Sequence, residues 1–173
     1  MGLDNERMDI EFKTATRSDL PYIVDVYNES IPGRMATADL EPISVGDRID
    51  WFKQHEPGHR PLLVINYDDD RAGWLSLSSF YGRPAYEETV EISIYIDNHF
   101  QHKGIGNAAV NHAEKLAARL GIKTIVAFIF AHNAPSLHLF HKNNYEDWGH
   151  MPNVALMDGK QRSLNILGKR IVD

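Results

Sequence analysis

The chain contains no cysteine, and that absence removes a disulfide framework, a thiolate zinc site and a cysteine nucleophile together. Nowhere is there an apolar run long enough to span a bilayer. The first residues, Met1-Gly2-Leu3-Asp4-Asn5-Glu6-Arg7, are polar where a signal peptide would carry an apolar stretch. The expectation is a cytoplasmic protein, neither exported nor embedded. Positive charge is also in short supply: 18 Lys and Arg against 24 Asp and Glu leave a formal charge of −6. Nucleic acid and anionic membranes reward clustered Lys and Arg, so neither is an expected partner. Any anionic ligand has to be captured locally. Low-complexity tracts, internal repeats and interdomain linkers are missing as well. What remains is 173 residues, 43 % apolar and 24 % charged, an ordinary composition for one folded domain spanning 1–173.

Ile10-Glu11-Phe12-Lys13-Thr14-Ala15 alternates as a strand, and Ser18-Asp19-Leu20-Pro21 starts a helix that runs to about Glu29. Residues Ile31 to Pro42, with Pro32-Gly33 and few large apolar side chains, read as a long loop before a second helix from Ser44. Loops of that length in compact domains are often functional. Leu62 to Tyr67 and Gly73 to Phe80 flank the turn Asp68-Asp69-Asp70-Arg71 as a hairpin, and Thr89 to Ile96 is the next strand. From Ala108 to Leu120 an apolar stripe predicts an amphipathic helix ended by Gly121. A buried strand Thr124–Phe130, a short helix from about Ala134 to Asn143 and a hairpin turning near Asp158-Gly159 complete the chain. The order β-α-α-β-β-β-α-β-α-β-β mixes antiparallel hairpins with one strand-helix-strand unit that implies a parallel pair, giving an α/β or α+β sandwich.

Within that unit lies Gln101-His102-Lys103-Gly104-Ile105-Gly106. The two glycines permit backbone conformations and close approaches closed to other residues. Successive N–H groups at the start of the following helix suit a phosphate or pyrophosphate, with Lys103 and His102 adding local positive charge. For a bare Gly-x-Gly the usual reading is a helix entry whose glycines merely pack closely, and context has to change those odds. Gly104-x-Gly106-x-x-Ala109 also satisfies a relaxed dinucleotide fingerprint. Against an oxidoreductase stand the lack of an acidic residue after Phe128-Ile129-Phe130-Ala131-His132-Asn133 and the antiparallel hairpin upstream.

Gln101-x-x-Gly104-x-Gly106 between a β-rich strand and an amphipathic helix resembles the GNAT superfamily of acetyltransferases. Asn133-Ala134-Pro135-Ser136, Leu139 and Asn144-Tyr145 are similar to its later Asn-x-x-Ser motif and Gly-Phe-like pair. Tyr27-Asn28, Ala36-Thr37, Trp51-Phe52, Arg83-Pro84-Ala85-Tyr86 and Thr89 to Ile96 resemble the phosphinothricin and methionine sulfoximine acetyltransferase group, over about Phe12 to Gly168. The resemblance implies a three-layer fold with a mixed, mostly antiparallel sheet and helices on both faces. It implies acetyl-CoA as co-substrate, direct transfer to a primary amine and a homodimer. Direct transfer agrees with the missing cysteine and with the lack of a serine in a nucleophile-elbow motif.

By the same resemblance, main-chain groups of Ile94, Tyr95 and Ile96 would bind the pantetheine arm, since this strand splays from the next. His102, Lys103, Gly104, Ile105, Gly106 and Asn107 would hold the pyrophosphate, and Asn133 would bind the cofactor from the neighbouring strand end. An amine attacks only when unprotonated, so a base is needed. Glu91, among apolar strand residues where burial raises a carboxyl pKa, is the candidate; the alternative is an outward-facing glutamate paired with a Lys or Arg. Arg83 would grip a substrate carboxylate and Tyr86 would close the pocket, or both are surface residues of a turn. No metal is expected, because His138 and His141 lack carboxylate or thiolate companions. The chain departs from the resemblance at Phe140, where superfamily members often carry Tyr or His as general acid; His138 and His141 are the nearby substitutes. Asn144 replaces a glycine, at a position where Asn tolerates the left-handed conformation. Acceptors weighed against the amino-acid-like amine are a polyamine, an aminoglycoside and a protein N-terminus, and a non-catalytic acetyl-CoA sensor is the remaining alternative.

Overall fold

The period-two and helical patterns become eleven elements in the computed structural model, which describes residues 9–171; the polar segment 1–7 lies outside the described residues. The strands are β1 (Ile10–Thr14), β2 (Leu62–Tyr67), β3 (Asp70–Ser79), β4 (Thr89–Ile96), β5 (Thr124–Phe130), β6 (Glu146–Met157) and β7 (Lys160–Arg170). The helices are α1 (Leu20–Ser30), α2 (Ile49–Lys53), α3 (Ile105–Arg119) and α4 (Ala134–Lys142). The strands form one seven-stranded sheet, ordered β1-β2-β3-β4-β5-β7-β6. Every neighbouring pair is antiparallel except β4 with β5.

Alternating side chains serve opposite faces of the sheet. Leu63, Ile65, Leu75, Leu77, Val90, Ile92, Ile125, Ala127 and Ile129 pack with Ile105, Ala109, Val110, Ala113 and Ala117 of α3 and Phe140 of α4. Their neighbours Leu62, Val64 and Trp74 pack with Ile23, Val26 and Tyr27 of α1, and Trp51 and Phe52 of α2 lie against that cluster. The expected layers are therefore present, with helices on both faces. Beyond β4 the second face lacks a helical cover among the described residues. Phe128 is registered with Ile166, and Phe130 and Met151 with Leu164, on that side. Trp148, in the β6 bulge, lies over Gly168, where a Cβ would sit 2.0 Å from its ring. Phe128, Trp148, Met151, Val154 and Leu156 are exposed.

Two boundaries differ instructively from expectation. The second helix begins as a single 3-10 turn at Gly46–Arg48, because Ser44 and Asp47 cap each other: Ser44 N–H donates to Asp47 Oδ2 at 2.9 Å and Asp47 N–H to Ser44 Oγ at 3.2 Å. α3 starts at Ile105, three residues before its apolar stripe becomes continuous, because Gly104 turns the chain at φ 75° and Ile105 is at once buried. Asn144 has φ 68°, so the left-handed turn expected of asparagine forms. No helix of the described residues is long and apolar enough to cross a membrane.

β3 and β4 approach so closely at Gly73 that a Cβ there would lie 2.3 Å from the main-chain oxygen of Tyr95. Because backbone cannot swing aside, Gly73→Ala is expected to lower stability by about 1–3 kcal/mol, read as a fall in Tm by thermal melt.

Candidate active site

β4 and β5 pair over only three positions, Thr89 with Thr124, Val90 with Ile125 and Glu91 with Val126. Past Glu91, β4 continues along β3 as far as Ile96 opposite Gly73, while β5 continues along β7 as far as Phe130 opposite Leu164. The strands diverge into a cleft of about 710 Å³. Asp97 N–H donates to Ala72 O at 2.8 Å, and antiparallel alternation then turns the main chain of Tyr95 toward β3 as well. The N–H and C=O of Ile94 and the N–H of Ile96 are left on the open edge, and Ile96 O accepts from Gln101 Nε2 at 2.9 Å. Of the three residues expected to present main-chain groups, Ile94 and Ile96 do so. Tyr95 instead stacks on Trp74 at 4.7 Å and donates its hydroxyl to Ala36 O at 3.1 Å.

At the far end of the cleft stand His102, Lys103, Gly104, Ile105 and Gly106. His102 and Gly104 both have left-handed φ, 63° and 75°. The first paired N–H of α3 is that of Ala108, which reaches Gly104 O at 3.1 Å. The N–H groups of Ile105, Gly106 and Asn107 precede the helical ladder, and Gly104 offers no side-chain cap. The two glycines differ in purpose. Gly104 supplies a conformation, since a Cβ there meets nothing, whereas Gly106 supplies room, since its Cβ would approach Leu139 Cδ2 at 3.2 Å. Asn107 does not line the cleft; its side chain turns toward α4.

Opposite this turn the loop between α1 and α2 crosses the cleft wall with Met35, Ala36, Thr37 and Ala38. Sequence reasoning marked the loop by its length but named none of these residues as lining a site. It is tied down at both sides: His132 Nε2–H donates to Arg34 O at 2.7 Å, Asn133 Nδ2 to Met35 O at 3.1 Å, and Arg34 pairs with Asp158 at 2.9 Å. Tyr27 bonds Thr37 and Asp39 from below. Asn133 is thus committed structurally, because its Oδ1 also accepts from Ser136 N–H at 3.3 Å as the cap of α4. One hydrogen of its amide remains without a protein acceptor among the described residues.

Glu91 lies where the strands part. It lines the cleft, it is partly buried, and it has no ion pair or hydrogen bond among the described residues, so the outward-facing, paired alternative is not what forms. Burial pushes its carboxyl pKa up. Arg83 and Tyr86 stand apart from it. Residues 81–88 are exposed throughout, and Tyr86 reaches the cleft only through Phe80 (5.3 Å), which stacks on the wall residue Phe128 at 6.5 Å. Phe140 lines the cleft and packs edge-on to Tyr145 at 4.9 Å. His138 and His141 point away on the exposed side of α4, with His141 bonded to Asp147 at 2.8 Å, so neither replaces a general acid at Phe140. No cluster of three or more potential metal ligands occurs among the described residues.

An open strand edge at one end, unpaired helix N–H groups beside Lys103 at the other, and a continuous cleft between them fit a long ligand with amides along its arm and phosphates at its end. Comparison with known proteins agrees. The profile of the Acetyltransferase (GNAT) family matches residues 21–145. A candidate phosphinothricin acetyltransferase of Bacillus subtilis (YwnH) is 45% identical over 92% of this chain and 98% of its own length. An L-methionine sulfoximine/L-methionine sulfone acetyltransferase of Pseudomonas aeruginosa is 29% identical over 92% and 94%. The crystal structure of a GNAT superfamily phosphinothricin acetyltransferase from Sinorhizobium meliloti in complex with AcCoA superposes with a TM-score of 0.87 at 25% identity, covering 94% of this chain and 89% of that one.

Gly104→Ala is expected to weaken coenzyme A binding, measured by calorimetry, because holding a non-glycine residue at φ 75° costs about 1–2 kcal/mol. Gly104→Asn is expected to weaken it less, since asparagine tolerates that conformation.

Proposed function

This chain belongs to the GNAT family of acetyltransferases and is an N-acetyltransferase that uses acetyl-CoA; we propose that it acetylates, directly, the primary amine of a small amino-acid-like compound of the phosphinothricin, methionine sulfoximine or methionine sulfone kind. The reading rests on one observation above the others, the unpaired, partly buried Glu91 at the point where β4 leaves β5. It is supported by the relatives named for those substrates. Glu91 is also the single acidic side chain lining the cleft among the described residues. A polyamine or an aminoglycoside would call for several.

Acetyl-CoA supplies a thioester carbonyl as the electrophile. In the proposed site the Ile94 and Ile96 main-chain groups orient its arm, as a strand edge aligns a partner strand. The N–H groups of Ile105, Gly106 and Asn107, with Lys103 and His102, hold the phosphates, and the remaining Asn133 amide hydrogen faces the arm. Glu91 takes the proton of the acceptor ammonium, directly or through a water, and its raised pKa brings it nearer to that task. Arg83 binds the acceptor carboxylate after the exposed loop 81–88 closes over Phe128, bringing Tyr86 with it. Phe140 has no proton to give, and little is required of it, because an alkyl thiol ionises near about pH 8.5.

The whole chain is read as one acetyltransferase unit, and the uncovered face of β5, β7 and β6 as the contact of a homodimer. Trp148 and Met151, exposed beside Phe128 on that side of the sheet, are apolar side chains of the kind that a contact covers.

A screen of amines for release of coenzyme A thiol tests the acceptor: turnover of methionine sulfone, methionine sulfoximine or phosphinothricin, and none of a polyamine or aminoglycoside, is expected. In the same assay Glu91→Gln is expected to reduce turnover by about 10²–10⁴-fold with coenzyme A affinity retained; unchanged turnover across pH would remove Glu91 as the base. The sign for pH follows from the raised pKa. kcat/KM rises with pH as Glu91 loses its proton, above the ordinary carboxyl value of 4.5. Folding favours the protonated form, so the stability this group contributes is present at low pH and lost as pH rises through its folded pKa. Glu91→Gln is therefore expected to raise Tm at pH 7 relative to pH 4. Light scattering is expected to give twice the chain mass, and the single chain mass for Met151→Glu.

A further inference from the structure

The first turn of α3 has an unusual problem. Its N–H groups must stay free for an anion, so no side chain caps them, and Gly104 has none to offer. Uncapped helix ends fray. A turn that frays holds its donors in no fixed array, and preorganisation of donors is what gives an anion site its affinity.

A polar brace stands beside this turn instead. α4 ends at Lys142, and Asn143 follows at its cap, with its own N–H donating to Phe140 O at 3.1 Å. The backbone of the cap is thus satisfied without the side chain. Asn143 Nδ2 donates to Leu139 O at 2.9 Å and to Asn107 Oδ1 at 3.0 Å. A main-chain carbonyl only accepts, so the Leu139 bond fixes which end of the Asn143 amide faces Asn107, and that in turn fixes the amide of Asn107. Behind Asn143, Lys169 Nζ from β7 donates to Asn143 O at 3.0 Å and pairs with Glu114 of α3 at 2.5 Å. Both partners of that pair are largely shielded, with side chains 24% and 17% exposed. Gly106 abuts Leu139 one residue away. The uncapped turn is held from the side, by α4 and β7, at the third of its free N–H groups.

We propose that Asn143 is a positioning residue for coenzyme A: through Asn107 it fixes the phosphate-facing turn of α3 without occupying the donors that the phosphates need. The inference rests on the reading that residues 102–107 hold the pyrophosphate. Its test is calorimetric binding of two probes, coenzyme A and pantetheine, which lacks the phosphates, to the full chain and to Asn143→Ala, Asn107→Ala and the double variant. Asn107→Ala removes the same bond from the other end while keeping the Asn107 N–H and leaving the α4 cap intact. The expected result is coenzyme A binding weakened about fivefold in either single variant, pantetheine binding unchanged, and a double variant no weaker than the singles. Equal weakening of both probes, or full retention of coenzyme A affinity in Asn107→Ala and Asn143→Ala, overturns the positioning role. An unaltered chain that binds coenzyme A no better than pantetheine overturns the pyrophosphate reading itself, and the inference with it.

Discussion

Three residue pairs of parallel sheet carry this architecture. β4 and β5 are held together from Thr89 to Glu91 and then part, which leaves main-chain donors and acceptors of Ile94 and Ile96 unpaired in the middle of a domain. Facing an open cleft, groups of that kind are available to a partner. Gln101 answers one, the Ile96 carbonyl. The cleft is where a ligand can answer the rest. Past the break each strand remains registered on its other side, β4 with β3 and β5 with β7, so the break is confined to one seam and does not propagate.

Much of the surrounding polar chemistry holds that seam in shape. Asn133 caps α4 and ties the Met35 carbonyl, His132 ties Arg34, and Tyr95 ties Ala36. Asp97 is buried at the end of β4. Burial alone would raise its pKa, but the N–H and ring of His99 and the Tyr22 hydroxyl bond the carboxylate and bring it below the usual carboxyl value. That carboxylate secures the turn leading to Lys103 and Gly104. Several residues that a motif would assign to ligand binding therefore act first on the protein, and they leave backbone groups of β4 and α3 open toward the cleft.

The fold was legible where periodicity was strong. Thr89–Ile96 and Thr124–Phe130 form strands with the expected bounds, because β-branched runs flanked by turn residues leave little alternative. The start of α3 was legible only in part. Its apolar stripe begins late, while the helix begins where Gly104 reverses φ. The glycine turn was readable because a Gly-x-Gly helix entry is a local signal, whereas Glu91 came from the resemblance, and only the fold sets it partly buried and unpaired beside the cleft. Arg83 and Tyr86 were chosen from a motif, and the structure sets both on an exposed loop, Tyr86 touching the cleft wall through Phe80. Met35, Ala38 and Phe128 carry no local signal beyond lying on a long loop and a strand, and Ala36, Thr37 and Leu139 entered only as parts of the resemblance.

The sequence by itself determined most of the elements, the glycine-marked start of α3, the absence of a thiol nucleophile and, by resemblance, the acetyltransferase class. The elements and the helix start follow from neighbours within a few residues, whose sterics and hydrogen-bonding groups act locally. Only the tertiary structure decided that β4 and β5 separate after Glu91, that the α1–α2 loop crosses the cleft, that His138 and His141 face away from it, and that Asn143 meets Asn107. The strand pairing, the loop contacts and the Asn143 bond join segments far apart in the chain, up to 98 residues, and no local preference encodes a distance that only the closed sheet and its packed helices create.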